Sequence, residues 1–216
     1  MTDHELKQHV QNALDWEPSV DASDIGISVD ASVVTLRGNV RSFAEKLNAE
    51  KTVLRVYGVQ GVANDVMVRL SDSHARTDTE IAQAAVAALK WNTMVPAGRV
   101  TLSVSNGWLT IQGTLDWQYQ KDAAARAVRD LTGVRGVSNE IVVTPHINTS
   151  DVQAKIEAAF RRSAEIDARR VKVAALDGKV VLSGNVRSWA ERQEAERAAW
   201  AAPGVTQLED RLTVVP

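Results

Sequence analysis

The sequence contains no cysteine and only four histidines among its 216 residues. Without thiols the chain cannot form disulfides, coordinate zinc through sulfur or use a cysteine as a nucleophile. The histidines lie at no spacing that is typical of metal ligands, and the chain has no catalytic triad, phosphate-binding loop or dinucleotide fingerprint. We therefore expect neither an enzyme nor a bound metal or cofactor.

An excess of basic charge and long apolar runs are also missing. The formal net charge is −2, whereas a general nucleic-acid binder carries surplus Lys and Arg to offset phosphate charge. No apolar run approaches the roughly 20 residues needed to span a bilayer, and the first residues do not resemble a secretory leader. The sequence predicts a cytoplasmic protein with no transmembrane segment and no nucleic-acid partner; a periplasmic location would require that a leader had been removed.

What the sequence does contain is one unit repeated three times. Three alternating apolar runs each end in a glycine, at Gly38, Gly113 and Gly184, with offsets of 75 and 71 residues. The same offsets align the Gly-Val pairs that begin at residues 58, 133 and 204 without a gap. The sequence therefore predicts three small domains, at residues 1–71, 77–145 and 149–216, with linkers at 71–77 and 145–149.

Each copy reads helix, strand, strand, helix, strand. The pattern Thr2-x-x-Glu5 predicts a capping box at the start of the first helix, and Ser42-x-x-Glu45 predicts one at the start of the second. The Asn-Gly pair at residues 106–107 is typical of the tight turn between two strands. We expect an α+β fold in which each copy has a three-stranded mixed sheet, with two helices on one face and the other face open.

This order of elements resembles the BON domain. The resemblance rests on Val-x-Leu-x-Gly-Asn-Val at residues 34–40 and 180–186 and on the Gly-Val pair before the third strand; the second copy departs with Gly113-Thr114-Leu115. The resemblance covers nearly the whole chain, three times over. The BON family includes proteins described as osmotically inducible or transport-associated, and the resemblance to it has a functional implication. It implies binding without catalysis, often of anionic phospholipid. By the same analogy, potassium held by backbone carbonyls is a further alternative.

The second helices carry apolar side chains that point away from their own cores. In the first copy, Phe43, Leu47 and Leu54 share a face nearly opposite the core stripe. The matching positions of the third copy include Trp189 and Trp200. These side chains are expected to contact lipid headgroups or a protein partner; the alternative is burial between domains or between chains of a homo-oligomer.

Tryptophan marks two further places. Trp117 replaces the capping serine of the other copies and forms an aromatic edge with Tyr119, which adds it to the candidates. Trp16 and Trp91 occupy equivalent positions near the end of the first helix, which predicts a shared packing role over the hairpin. We call the six candidates the outer-stripe residues: Phe43, Leu47, Leu54, Trp117, Trp189 and Trp200.

Charge is distributed unevenly among the copies. The first carries −4, and the second and third carry +1 each. Five basic residues cluster between the first helix and first strand of the third copy, where they predict docking of phosphate headgroups at about 1 kcal/mol per charge. Glu165 and Asp167 lie among them, so a solvated loop is the alternative interpretation. This basic cluster comprises Arg161, Arg162, Arg169, Arg170 and Lys172.

Overall fold

The structure, a computed structural model, describes residues 1–71, 74–144, 151–163 and 166–215. Within them the same αββαβ unit occurs three times, which confirms the predicted repeat and fold class. The first copy contains α1 (Asp3–Asp15), β1 (Ile25–Asp30), β2 (Val33–Val40), α2 (Phe43–Leu54) and β3 (Gly61–Val68). The second contains α3 (Asp78–Trp91), β4 (Val100–Ser105), β5 (Trp108–Leu115), α4 (Gln118–Arg129) and β6 (Gly136–Val143). The third contains α5 (Val152–Arg162), β7 (Val171–Leu176), β8 (Lys179–Val186), α6 (Trp189–Trp200) and β9 (Gln207–Val214).

Each sheet places its second strand in the middle. β1 pairs antiparallel with β2 through a tight turn, and Ile25 lies opposite Gly38. β3 pairs parallel with β2, in a register that sets Val33 opposite Gly61, because α2 carries the chain back to the same end of the sheet. The other two sheets have the same order and directions. The predicted mixed sheet is therefore confirmed.

Each copy has its own apolar core between the helices and one face of the sheet. In the first copy Leu6 and Val10 of α1, Leu36 of β2 and Val53 of α2 are all buried in one cluster. The opposite sheet face is open, as predicted: Trp108 of the second copy remains 51% exposed, although its indole N–H donates to Ser138 Oγ at 2.8 Å.

The glycine that ends the middle strand is required by close packing of the backbone. Gly38 adopts a φ of +134°, and a Cβ at this position would collide with the carbonyl oxygen of Asp24. Gly113 and Gly184 have the same conformation and meet the equivalent carbonyls. A side chain is therefore excluded by both backbone conformation and space.

The capping prediction holds for α1, and half of it holds for α2. Thr2 and Glu5 form a complete capping box. At α2, Ser42 Oγ accepts from the backbone N–H of Glu45, but the carboxylate of Glu45 does not return to Ser42. It accepts instead from the backbone N–H groups of Arg41 and Asp21, each at 2.8 Å, and so joins α2 to the segment before β1. The second half of the predicted capping box at α2 is therefore wrong.

Candidate binding surfaces

The outer-stripe residues are all half-buried, and some of them contact another domain. Phe43, the first residue of α2, packs against the core of the second copy, close to Leu131 and Val134. Trp189, the first residue of α6, donates its indole N–H to the carbonyl oxygen of Val59 in the first copy at 3.1 Å. The contacts bring the start of one second helix to the segment that follows another.

Trp117 and Trp200 line one groove between the second and third copies. The groove has a volume of about 900 Å³ and also receives Gln118 and Gln193. On its rim the rings of Trp117 and Tyr119 stack with their centroids 6.5 Å apart. The start of α4 therefore faces the end of α6.

These three relations close a circle. Phe43, Gln118 and Trp189 are equivalent first residues of the second helices, and each faces the end of a different second helix. The start of the second helix in the first copy thus faces the second copy, that in the second copy faces the third, and that in the third copy faces the first. Equivalent contacts repeated head to tail in this way are the rule of a closed three-membered ring, here built from one chain.

Leu47 and Leu54 lie half-buried on the same side of α2 as Phe43. Between them, the pKa of Lys51 is lowered, first by partial burial and then by the positive charge of Arg129 in the second copy. The charge of Arg129 on the second copy thus acts on the outer side of α2.

The basic cluster is exposed and divides into two parts. Arg161, Arg169 and Lys172 line a groove of about 800 Å³ between α5 and β7. Arg170 pairs instead with Asp167 at 3.5 Å, and Arg162 is the last residue of α5. Glu165, the other acidic residue within the cluster, lies outside the described residues.

The second copy has the equivalent groove with a different lining. It lies between α3 and β4, measures about 500 Å³ and is bordered by Val86, Lys90, Pro96 and Thr101. Applying the repeat offsets, Lys90 matches Arg161, Pro96 matches Asp167 and Thr101 matches Lys172. The matching positions of the first copy carry Gln11, Asp15, Asp21 and Gly26. One corner of the fold therefore has an acidic, an apolar and a basic version.

The packing role predicted for Trp16 and Trp91 is wrong. Their side chains are 87% and 86% exposed. The reason is helical geometry: each tryptophan follows the last core leucine, Leu14 or Leu89, by two positions, and two steps of 100° place it on the opposite side of the helix. The spacing to that leucine was the signal in the sequence. Arg162 occupies the same position in the third copy.

A buried acid also has a role that the sequence patterns do not predict. Glu191, equivalent to Glu45, accepts from the backbone N–H groups of Asp167 at 2.8 Å and Arg187 at 2.7 Å. Burial alone would raise the pKa of Glu191, but these hydrogen bonds and the Arg187 side chain outweigh burial and lower it. Its carboxylate stabilises the fold as an anion, beside the basic groove.

Two features are absent from the residues that the structure describes. In that part of the chain no helix has both the length and the apolar character needed to cross a bilayer. No three His, Asp or Glu side chains of the same residues come together as a metal site would need.

Comparison with known proteins agrees with the threefold repeat. A family model described as "BON domain" matches residues 2–69, 77–145 and 148–216. "Osmotically-inducible protein Y" of Escherichia coli (strain K12) is 30% identical over 145 residues, which cover 65% of this chain and 72% of that protein. Two solved structures of CdsD, a structural protein of the type III secretion system of Chlamydia trachomatis, match at 15% identity and a TM-score of 0.28. One match covers 98% of this chain and 93% of that one, and the other covers both completely.

Proposed function

Because the chain belongs to the BON domain family, we propose that it is a non-catalytic binding protein that docks on anionic phospholipid surfaces. Its similarity to an osmotically inducible protein supports a role in osmotic or envelope stress. The observation that carries the lipid assignment is the groove between α5 and β7, where three exposed basic side chains converge.

The charges of this groove suit a phosphate. Arg161, Arg169 and Lys172 contribute three positive charges to the lining, and Glu157 and Asp167 contribute two negative ones. Asp167 is already paired with Arg170, so the basic side chains stay in excess. Near an anionic membrane surface each of them contributes about 1 kcal/mol of attraction.

The equivalent groove of the second copy supplies an apolar contact. Val86 is 56% exposed at its edge, and Trp91 and Met94 lie exposed close by in the chain. Tryptophan is favoured at membrane interfaces because its ring is apolar and its N–H is polar. The equivalent corner of the first copy carries Asp15 and Asp21, which anionic lipid would repel, so the basic and apolar corners are the ones proposed to meet the surface.

The test is co-sedimentation of the full chain with vesicles of phosphatidylglycerol and, separately, of phosphatidylcholine. We expect binding to the anionic vesicles alone. The variant Arg161→Glu/Arg169→Glu/Lys172→Glu is expected to bind at least about 100-fold less, since three attractive charges of about 1 kcal/mol each are lost and three repulsive ones take their place.

A matched control makes the same change in net charge elsewhere. Lys7→Glu/Arg135→Glu/Lys155→Glu reverses three exposed charges outside the groove and is expected to keep most of the binding. Equal failure to bind both kinds of vesicle, or equal losses in the two variants, would refute the proposal.

We propose a different role for the outer-stripe residues, namely joining the domains. The bond from Trp189 to Val59 and the packing of Phe43 on the second core favour it. Side chains engaged in this way are not free to insert into lipid. The same surfaces would serve self-association only if the domains separated.

A further inference from the structure

One position of the third strand differs in chemistry among the copies. Asn64 and Asn139 occupy it in the first two, each as the fourth residue of its strand. Asn64 Nδ2 donates to the carboxylate of Glu50 at 3.0 Å, and its Oδ1 accepts from the backbone N–H of Val66 at 3.3 Å. The amide is suited to this place because it donates towards the helix and accepts from the strand.

The third copy has Asp210 there, which has no N–H to donate. Asp210 Oδ1 accepts from the backbone N–H of Leu212 at 2.7 Å, while its side chain faces Glu196, the equivalent of Glu50. Two carboxyl groups form a hydrogen bond only when one of them carries a proton. The hydrogen that Asn64 donates to Glu50 is therefore replaced by a titratable one, whereas the hydrogen that Asn64 donates to the carbonyl oxygen of Lys46 at 3.1 Å is not replaced.

We propose that Glu196 and Asp210 bind a single proton between them, and that its release loosens the contact by which the third domain holds the first. The surroundings favour a proton that is released near neutrality. Burial first, and then the hydrogen bond and the charge of Asp210, together raise the pKa of Glu196 to about 7, although Arg192 opposes the shift. Burial alone would raise the pKa of Asp210 too, but the bonds from Glu196, Leu212 and Arg192 lower it.

A chain of contacts leads from this pair to the first domain. Arg192 Nε lies 2.5 Å from Asp210 Oδ2 and 3.5 Å from Glu196 Oε1. The guanidinium carbon of Arg192 also lies 4.7 Å from the ring centroid of Trp189, whose N–H reaches Val59 in the first copy. When Glu196 ionises, its new charge attracts the guanidinium. Trp189 then loses its cation–π partner, and the bond to Val59 loses its support.

The other charges around Glu196 do not supply an alternative switch. Arg192 and Arg197 stand on its own helix, and Arg197 is paired with Glu194. Asp210 faces it from β9, while Asp122 and Arg126 face it across the groove from α4 with opposite signs. The sign of the effect follows. The folded chain holds a proton that Glu196 would lose above about 4.5 when unfolded. Its contribution to stability is therefore complete below that pH and is lost as the pH rises through about 7.

The first test is a titration of side-chain carboxyl carbons by NMR between pH 4 and pH 9. We expect Glu196 to titrate near pH 7 in the wild type and at a lower pH in Asp210→Asn, which removes the contribution of Asp210 and leaves that of burial. This variant restores the amide of the other copies and so is expected to fold. The converse change, Asn64→Asp, is expected to raise the pKa of Glu50. A wild-type Glu196 that titrates near 4.5, or one unaffected by Asp210→Asn, would overturn the shared proton.

The second test measures the distance between domains. Because the chain has no cysteine, Lys7→Cys and Lys155→Cys give two unique labelling sites for energy transfer between the first and third domains. In the wild type, the efficiency of energy transfer is expected to fall as the pH rises, with the same midpoint near pH 7 as the titration of Glu196. It is expected to stay constant in Asp210→Asn and in Glu196→Gln, whose amide keeps a donor towards Asp210. If Glu196 titrates near 7 while transfer does not change, the coupling is refuted.

Discussion

At the scale of the residue, the third position of the second helices shows how the hydrogen bonds of one side chain depend on a residue far away in the sequence. Glu45 and Glu191 each accept two backbone N–H groups from different segments. The second copy has Gln120, whose amide oxygen accepts from the adjoining Asp116 and Trp117 only. The reason is Pro96, which stands at the position of Asp21 and has no N–H to offer.

This relation was present in the sequence as a paired change of residues in one copy. The spacing Ser-x-x-Glu favoured a capping box instead, because it describes neighbours within one helix. The second donor to Glu45 lies 24 residues away, and no local pattern reports a partner at that distance.

We predict that Glu191→Gln lowers the free energy of unfolding of the third domain by about 1–3 kcal/mol at pH 7, because one buried N–H group loses its acceptor. The folded pKa of Glu191 is lowered, so the carboxylate contributes its stability above about 4.5, and that contribution disappears as the pH falls through the lowered value. The gap between variant and wild type should therefore close in acid. Hydrogen exchange at the Leu182 amide measures it, and Glu140→Gln, an exposed change, should have little effect at any pH.

At the scale of the element, three occurrences of one pattern made the strand ends predictable. The glycine at the end of each middle strand emerged because it recurred at constant offsets, and the structure gives its cause in the carbonyl that lies against it. The tryptophans at the helix ends also recurred, yet recurrence alone does not tell a core position from an exposed one. The angle around the helix from Leu14 to Trp16 does.

We predict that Gly38→Ala destabilises the first domain by at least about 2 kcal/mol, since the new methyl group meets the carbonyl of Asp24 at a strained φ. Gly26→Ala, on the partner strand, is the matched control. A Cβ there would lie 3.6 Å from the carbonyl oxygen of Arg37, an ordinary contact, and the change should cost less than about 1 kcal/mol. Hydrogen exchange at Val34 compares the two, and equal losses would contradict the explanation.

At the scale of the whole molecule, the ring of contacts was beyond the reach of sequence patterns. The residues that begin the second helices are Phe43, Gln118 and Trp189, which share neither size nor polarity. A stripe facing away from its own core indicated that something covers it. Which domain covers the stripe depends on how three folded units pack together. No repeating pattern in the sequence records that packing.

We predict that Trp189→Phe separates the first and third domains without unfolding either. Phenylalanine keeps an aromatic ring at this position but lacks the N–H that donates to Val59. Energy transfer between labels at Lys7→Cys and Lys155→Cys should fall, while circular dichroism stays unchanged. Trp16→Phe, at an 87% exposed side chain, should leave transfer as it is. A fall of the same size in both variants would show that the bond to Val59 does not hold the domains.

The groove between first helix and first strand has one further consequence. Three identical subunits in a ring would have to present three identical corners, whatever the corner binds. Copies joined in one chain are free to diverge, and here they have become acidic at Asp15 and Asp21, apolar at Val86 and basic at Arg161. One chain thus presents three equivalent corners that differ in charge and polarity, which a ring of identical subunits could not do.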